Sequence, residues 1–297
     1  MPVLGGRELP EWSAAMTILL AFCSAMVYGV ADYCGGRSTR SSPAVVVALV
    51  GQVVSVVLLA VALLVTGTPM PDGHTLAWGA GAGISGAVGL TAFYFALANG
   101  SMTVVAPLTA VVGAVLPVGV GLATGERPEP IAYVGIAVAV VAVALVSGAV
   151  GNHERSTRRL VLAAAVVAGL GFGGLFVGLD RAADDAGVWP LLAARIGSIP
   201  LLAVLVIATK ATVGRRPDWR GLRFAYIAGV LDMGANVLYL EATHGGLLSL
   251  VAVVSSLYPA STVTLAFLID RERVHRSQIA GIGLAAIALV FVTVGRG

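Results

Sequence analysis

The chain has 297 residues, of which 58% are hydrophobic and only 11% are charged, and its net charge is +3. Ordinary soluble domains carry about 25% charged residues, so this composition excludes a water-soluble globular protein. The small positive charge gives no indication of a nucleic-acid partner.

Apolar segments follow one another along the whole chain. A helix needs about 20 apolar residues to cross about 30 Å of hydrocarbon, and ten such segments are separated by short polar breaks. The predicted spans are residues 13–36, 43–66, 76–98, 102–124, 131–150, 159–179, 189–209, 221–243, 247–269 and 277–294. No small-residue cleavage site follows the first span, so we interpret it as a retained membrane helix rather than a signal peptide.

The second half of the chain repeats the first half 146 residues later. The matching pairs are Gly100 and Gly246, Ala106 and Ala252, Glu126 and Glu272, Arg127 and Arg273, and Gly135 and Gly281. Five spans followed by five spans place the second copy upside down in the membrane. The sequence therefore predicts an all-α polytopic membrane protein with ten transmembrane helices in two inverted five-helix repeats, residues 13–150 and 159–296.

Basic residues concentrate in the loops of one face. They are Arg37, Arg40, Arg155, Arg158, Arg159, Lys210, Arg215, Arg216, Arg220, Arg223, Arg271, Arg273 and Arg276. The face with both termini carries only Arg7, Arg127, Arg181 and Arg296. Because Lys and Arg accumulate on the cytoplasmic side, the loop charges predict that both termini lie outside the cytoplasm.

A charged side chain inside a bilayer is unfavourable, so it normally faces a partner, the bundle interior or a water-filled cavity. Asp32 lies near the end of the first span, and Ser24 and Tyr28 precede it at four-residue intervals on one helix face. Two interpretations are open. Asp32 is either a protonatable carboxylate beside a substrate cavity or a carboxylate near the membrane surface that pairs with Arg37 or Arg40 or caps a neighbouring backbone group.

A second polar stripe lies on the eighth span. Helical spacing aligns four residues there on one face, namely Asp232, Asn236, Tyr239 and Thr243. Arg195 lies inside the seventh span, at a depth that matches Asp232 within about two helical turns. The pair is either a structural ion pair between two helices or part of a cavity wall. On such a wall, Arg195 sets the charge state of Asp232 or attracts an anionic group.

Several segments together resemble the EamA-type branch of the drug/metabolite transporter superfamily. In the first half they are FYFAL at 93–97, VAPLT at 105–109 and GER at 125–127; in the second they are SSLYP at 255–259, RER at 271–273 and QIAG at 278–281. Pro259 lies thirteen residues before Glu272, as in many members, whereas Gly113 occupies the matching place in the first half.

This resemblance implies a secondary transporter whose cavity lies between the repeats, chiefly among spans one, three, four, six, eight and nine. By that likeness, Tyr94, Tyr239 and Tyr258 contact substrate; the alternative is that each packs in the core with its hydroxyl hydrogen-bonded to a neighbour. The resemblance also implies cytoplasmic termini, which conflicts with the loop charges. Orientation therefore stays open.

No catalytic or metal site is predicted. The four histidines, His74, His153, His244 and His275, lack metal-ligand spacing, and no phosphate-binding motif occurs. We therefore expect neither an enzyme nor a bound cofactor.

The sequence favours a multi-pass transporter of the cell membrane that exports a small polar metabolite, amino acid or amphipathic compound by alternating access. Its predicted partners are the small-molecule substrate, the lipid bilayer and protons, and it acts as a monomer or homodimer. The substrate-binding hypothesis names Tyr28, Asp32, Tyr94, Asp232, Asn236, Tyr239 and Tyr258, and proton coupling rests on Asp32 and Asp232. The alternatives are a flippase for lipids or lipid-linked carriers and a non-transporting membrane protein of the same fold.

Overall fold

A computed structural model of the chain describes residues 14–146, 159–182, 184–209, 218–270 and 276–294. These residues form α-helices, short loops and one 3-10 turn, Asp184–Ala186, with no strand in the described ranges. The helices are α1 (Ala14–Thr39), α2 (Ala44–Thr66), α3 (Gly73–Asn99), α4 (Met102–Ala123), α5 (Pro130–Val146), α6 (Arg159–Asp180), α7 (Trp189–Ala208), α8 (Trp219–His244), α9 (Leu248–Ser255), α10 (Pro259–Asp270) and α11 (Arg276–Val294).

Within the described ranges, seven helical segments are long and apolar enough to cross a membrane. They are α1, α2, α3, α4, α6, α7 and the segment formed by α9 and α10. The predicted fold class, an all-α polytopic membrane protein, is confirmed.

Some sequence predictions concern residues outside the described ranges. These residues are Arg7, His153, Arg155, Arg158, Lys210, Arg215, Arg216, Arg271, Glu272, Arg273, His275 and Arg296. The proposed domain boundaries at residues 13, 150 and 296 also fall there. The division into domains therefore stays a prediction.

The ninth predicted span is not one continuous helix. It breaks between Ser255 and Pro259, which starts α10. Proline has no backbone N–H and its ring clashes with the preceding turn, while the residue before it avoids the helical region. At the matching place, α4 continues through Gly113, although it contains Pro107 and Pro117.

The helices pack as an inverted pair of repeats. α1 packs on α8, and α3 packs on α6, which is the same pairing with the two repeats exchanged. The α1 and α8 helices are antiparallel: Ser24 Oγ donates to the Ala235 carbonyl at 2.8 Å, and Ser38 Oγ donates to the Gly221 carbonyl at 3.0 Å. We call this contact the α1–α8 seam. We call the end of the bundle where α1 begins the N-terminal face.

Each end of the bundle has a polar contact between the repeats. At the N-terminal face, the Glu126 carboxylate accepts hydrogen bonds from the backbone N–H groups of Leu248 (2.7 Å) and Ser249 (3.0 Å), and so caps α9. At the opposite face, Asp270 pairs with Arg37 at 2.5 Å and with Arg40 at 2.9 Å. These two contacts join the repeats at opposite ends of the bundle.

Candidate functional site

A small cavity, with room for about one water molecule, lies between the two repeats. Helices α2 and α3 line it from the first repeat, and α6, α7 and α8 line it from the second. Its polar lining residues are Gln52, Arg195, Asp232 and Asn236. Its apolar lining consists of Gly83, Gly86, Ala87, Leu90, Phe172 and Leu175.

Arg195 and Asp232 form an ion pair on the cavity wall. Arg195 Nη2 donates to Asp232 Oδ2 at 3.2 Å, and the arginine side chain is only 4% exposed, whereas that of Asp232 is 25% exposed. The guanidinium is thus buried behind a carboxylate that faces the cavity. The two interpretations from the sequence are compatible, because the pair joins α7 to α8 and also lines the cavity.

Two buried polar atoms of this wall have no hydrogen-bond partner among the described residues. They are Arg195 Nε, which is a donor, and Asn236 Oδ1, which is an acceptor. The Asn236 amide is held by its Nδ2, which donates to the Asp232 carbonyl at 2.7 Å. Leaving a buried polar group unsatisfied costs about 1–3 kcal/mol. The wall is therefore suited to a guest that carries both an acceptor and a donor.

The cavity also contains a polar pair that the sequence analysis missed. Ser198 Oγ donates to Gln52 Oε1 at 2.9 Å, which joins α7 to α2. Gln52 and Ser198 are 146 residues apart, so they occupy matching positions of the two repeats. A polar residue in the otherwise apolar second span was the available signal for Gln52.

Asp32 is 8% exposed and is not among the residues that line the cavity. Its carboxylate has no hydrogen bond or ion pair with any described residue, since Arg37 and Arg40 pair with Asp270. In the register of the antiparallel α1 and α8 helices, Asp32 lies about one helical turn from the depth of Asp232 and one turn after Tyr28. The structure thus brings the two predicted carboxylates into one polar region.

The four predicted tyrosines are buried and are not among the residues that line the cavity. Tyr258 donates its hydroxyl to the Ala106 carbonyl at 3.3 Å. Tyr94 packs against Gly35, and the ring of Tyr239 stacks on Phe176 with centroids 4.3 Å apart. Phe176 also contacts Tyr28, at a centroid distance of 6.1 Å. Direct contact of these tyrosines with a substrate stays a prediction.

The site contains no obvious metal-binding group. In the part of the chain that the structure describes, no three His, Cys, Asp or Glu residues are placed to hold a metal ion. The chemistry of the cavity is that of an ion pair, two amides and an apolar wall, which is suited to binding a small polar solute.

Comparison with known proteins agrees with this architecture. The model of the EamA-like transporter family matches twice, over residues 15–148 and 159–294, and no curated protein matches the sequence. Among solved structures, 25 chains match. One of them, described as "Crystal structure of protein", is 16% identical, with a TM-score of 0.73 over 96% of this chain and 98% of that chain. It has the same fold. Because the family model covers both halves, the chain belongs to the EamA-like transporter family.

Proposed function

We propose that this chain is a secondary transporter that exports a small zwitterionic metabolite of the amino-acid type across the cell membrane by alternating access. The observation that carries the proposal is the ion pair of Arg195 and Asp232, which lies on the wall of a cavity between inverted repeats. Export is the direction that we propose on the family resemblance.

The lining of the cavity favours a small polar solute. In this conformation the cavity has room for about one water molecule, so a substrate enters only when the repeats move apart. Four of its ten lining residues are polar, and two of them form an ion pair, which favours a polar solute over the hydrocarbon chain of a lipid.

The charges of the wall favour a zwitterion over an anion or a cation. The unpartnered Nε of Arg195 is a donor for a carboxylate, and Asn236 Oδ1 and the exposed part of Asp232 are acceptors for an ammonium group. A solute with a single charge would meet the opposite charge on one side and the same charge on the other. A zwitterion matches both, because charge-assisted hydrogen bonds form at each end.

The contacts at the two ends of the bundle support alternating access. Glu126 ties the repeats at the N-terminal face, and Asp270 ties them at the opposite face. When one tie breaks, the repeats separate at that end and the cavity opens there, while the other tie keeps the far end closed. Inverted repeats that rock around a central site are the structural basis of this mechanism.

Solute-dependent stabilisation of the purified protein tests the proposal. The full chain in detergent is heated at pH 6 and pH 8 with amino acids, sugars, nucleosides and cationic drugs. A solute that binds only the folded state raises its stability by RT ln(1 + [L]/Kd). We expect stabilisation by amino acids, and we expect it to disappear in Asp232→Asn.

Asp72→Asn is the matched control, because Asp72 lies outside the spans and caps α3 by accepting from the Thr75 N–H, a role that asparagine also fills. It should keep the response to amino acids. Stabilisation by phosphate-bearing lipids alone would favour a flippase instead, and a response to no solute would favour a non-transporting protein.

A further inference from the structure

Unpartnered buried polar atoms cluster on the α1–α8 seam. Among the described residues, seven buried side-chain atoms have no hydrogen-bond partner. Four of the seven are on this seam or directly beside it: the hydroxyls of Tyr28 and Tyr239, Asn236 Oδ1 and Arg195 Nε. Because a buried polar atom that is left unsatisfied destabilises the folded protein, the cluster indicates a functional demand for polar groups inside the bundle.

The two tyrosines are distinct from the cavity wall. Tyr28 is 8% exposed and Tyr239 is 0% exposed, and neither is among the residues that line the cavity. Both rings contact Phe176 of α6, at centroid distances of 6.1 Å for Tyr28 and 4.3 Å for Tyr239. Packing alone would be satisfied by phenylalanine at both positions, so the buried hydroxyls need another explanation.

The register of the seam places these groups in a row. Since Ser24 bonds to Ala235 and the helices are antiparallel, Tyr28 and Asp232 lie at about the same depth. Asn236 and Tyr239 follow Asp232 one and two turns toward the N-terminal face, on the same side of α8. At about 1.5 Å per residue, Tyr239 lies about 10 Å from Asp232 along the axis.

The row ends near the N-terminal face. Tyr239 stacks on Phe176 of α6, and Asp180 lies one helical turn beyond Phe176 on the same side of α6, at the end of that helix. The Asp180 side chain is 21% exposed, so it has access to solvent. Polar groups thus extend from the cavity carboxylate to one surface of the protein.

We propose that Tyr28 and Tyr239, with water between them, form a proton path that connects Asp232 to the N-terminal face. A hydroxyl group accepts a proton on its oxygen and releases its own proton to the next acceptor, so it relays protons without any net chemical change. Water that enters a polar buried region binds to groups of this kind. Asn236 Oδ1 only accepts hydrogen bonds and orients the water beside Asp232.

Each passage moves one proton and changes only O–H bonds. A proton from the N-terminal face binds to water beside Tyr239, the Tyr239 proton passes inward, and Tyr28 delivers a proton to the Asp232 carboxylate. Rotation of the hydroxyls restores the starting arrangement. The groups that face this path are Arg195 beside Asp232, Asp32 beside Tyr28, and Asp180 and Glu126 beside Tyr239.

Protonation would couple the path to transport. A neutral Asp232 no longer attracts either Arg195 or the ammonium group of a zwitterion, so proton arrival favours release of that solute. This consequence rests on the proposed function, whereas proton movement along the tyrosines does not. The two ideas can therefore fail separately.

Proton flux into proteoliposomes tests the path. The full chain is reconstituted with a pH-sensitive dye inside, and a potassium diffusion potential drives protons inward. We expect the variant Tyr28→Phe with Tyr239→Phe to slow acidification by on the order of a hundredfold, and Asp232→Asn to slow it similarly. Tyr226→Phe is the matched control, because Tyr226 lies on α8 but is 43% exposed; its flux should equal that of the unchanged protein.

Counterflow of radiolabelled neutral amino acids in the same vesicles distinguishes failure of the proton path from failure of the proposed function. Equal proton flux in the double phenylalanine variant and in the unchanged protein would overturn the path, as would the absence of flux in the unchanged protein. A tyrosine-dependent proton flux without amino-acid counterflow would support the path and overturn the proposed function. Thermal unfolding of each variant verifies that the fold is kept.

Discussion

The two repeats contribute very different walls to the same cavity. The second repeat supplies a polar wall, Arg195, Asp232 and Asn236, whereas the residues 146 positions earlier are Leu49, Gly86 and Leu90. Gly86 and Leu90 line the cavity opposite their polar counterparts. The duplicated fold thus provides a symmetric space, while both charged lining residues come from the second repeat and the first repeat contributes one polar lining residue, Gln52.

The packing around the cavity, in contrast, is the same in both halves. A side chain at Gly83 would collide with the backbone of Ala194, and a side chain at Gly229, 146 residues later, would collide with the backbone of Gly51. Close backbone approach needs a small residue at both places. The two repeats therefore share small residues where helices touch, and they differ in polarity where they line the cavity.

Each polar residue of the second repeat's wall can be replaced by the residue 146 positions earlier. The largest loss of stability should follow the replacement of Arg195. Arg195→Leu leaves Asp232 beside a cavity without its partner, and removing one member of a buried pair costs about 3 kcal/mol. We expect a clearly lower Tm in detergent, whereas Arg220→Leu, at an exposed position of α8, should leave Tm almost unchanged.

Adding Asp232→Gly to Arg195→Leu should restore much of the stability, because no unpaired charge then remains. The double variant should still show no response to amino acids. If Arg195→Leu alone unfolds at the same temperature as the unchanged protein, the ion pair does not stabilise the contact between α7 and α8.

Two alanine variants on α3 distinguish the close packing of helices from the volume of the cavity. Gly83→Ala should destabilise the protein by about 1–3 kcal/mol through overpacking against α7. Gly86→Ala meets only the end of the flexible Leu175 side chain, at 3.3 Å, so its Tm should change little while the narrower cavity weakens the response to amino acids. Equal thermal shifts in both variants would contradict the close helix approach at Gly83.

Asn236→Leu, which copies Leu90 onto the polar wall, tests the unpartnered acceptor. We expect a change in stability below about 1 kcal/mol, because Oδ1 has no partner among the described residues. Amino-acid affinity in the stabilisation assay should fall about tenfold, which corresponds to about 1.4 kcal/mol. Unchanged affinity would show that the amide does not contact the solute.

The smallest effect should come from the polar pair that bridges the repeats. Polar contacts between membrane helices average about 0.6 kcal/mol, so Gln52→Leu and Ser198→Ala should each lower Tm slightly. A double-mutant cycle should give a coupling of that size. No coupling would mean that the 2.9 Å contact contributes nothing to stability.

The positions of the helices could be predicted from the sequence. Each predicted span corresponds to a helix or, for the ninth, to α9 and α10, because hydropathy over about 20 residues is a local property. The matching depths of Arg195 and Asp232 also followed from helix length, and the two side chains lie 3.2 Å apart. The break before Pro259 was harder to place, since prolines inside α4 and α7 leave those helices continuous.

The candidate site could be predicted from the sequence only in part. Periodicity places Tyr28, Asp32 and Tyr239 on polar stripes, but it does not say which of them meets open space. Tyr258 has its own partner at the Ala106 carbonyl, and Gln52 lines the cavity although no stripe includes it. Side-chain neighbours across helices depend on rotation and crossing angle, which a single helix does not define.

The sequence by itself determined the membrane environment, the helices and the two-fold repeat, because these follow from local hydropathy and from the similarity of the two halves. Only the tertiary structure decided that both charged lining residues of the cavity come from one repeat, whereas the other repeat contributes Gln52 and an otherwise apolar wall. It also decided that two tyrosine hydroxyls near that wall are buried with no hydrogen-bond partner among the described residues. The physical reason is that contacts between helices depend on packing geometry over the whole bundle, whereas spans depend only on neighbours in the chain.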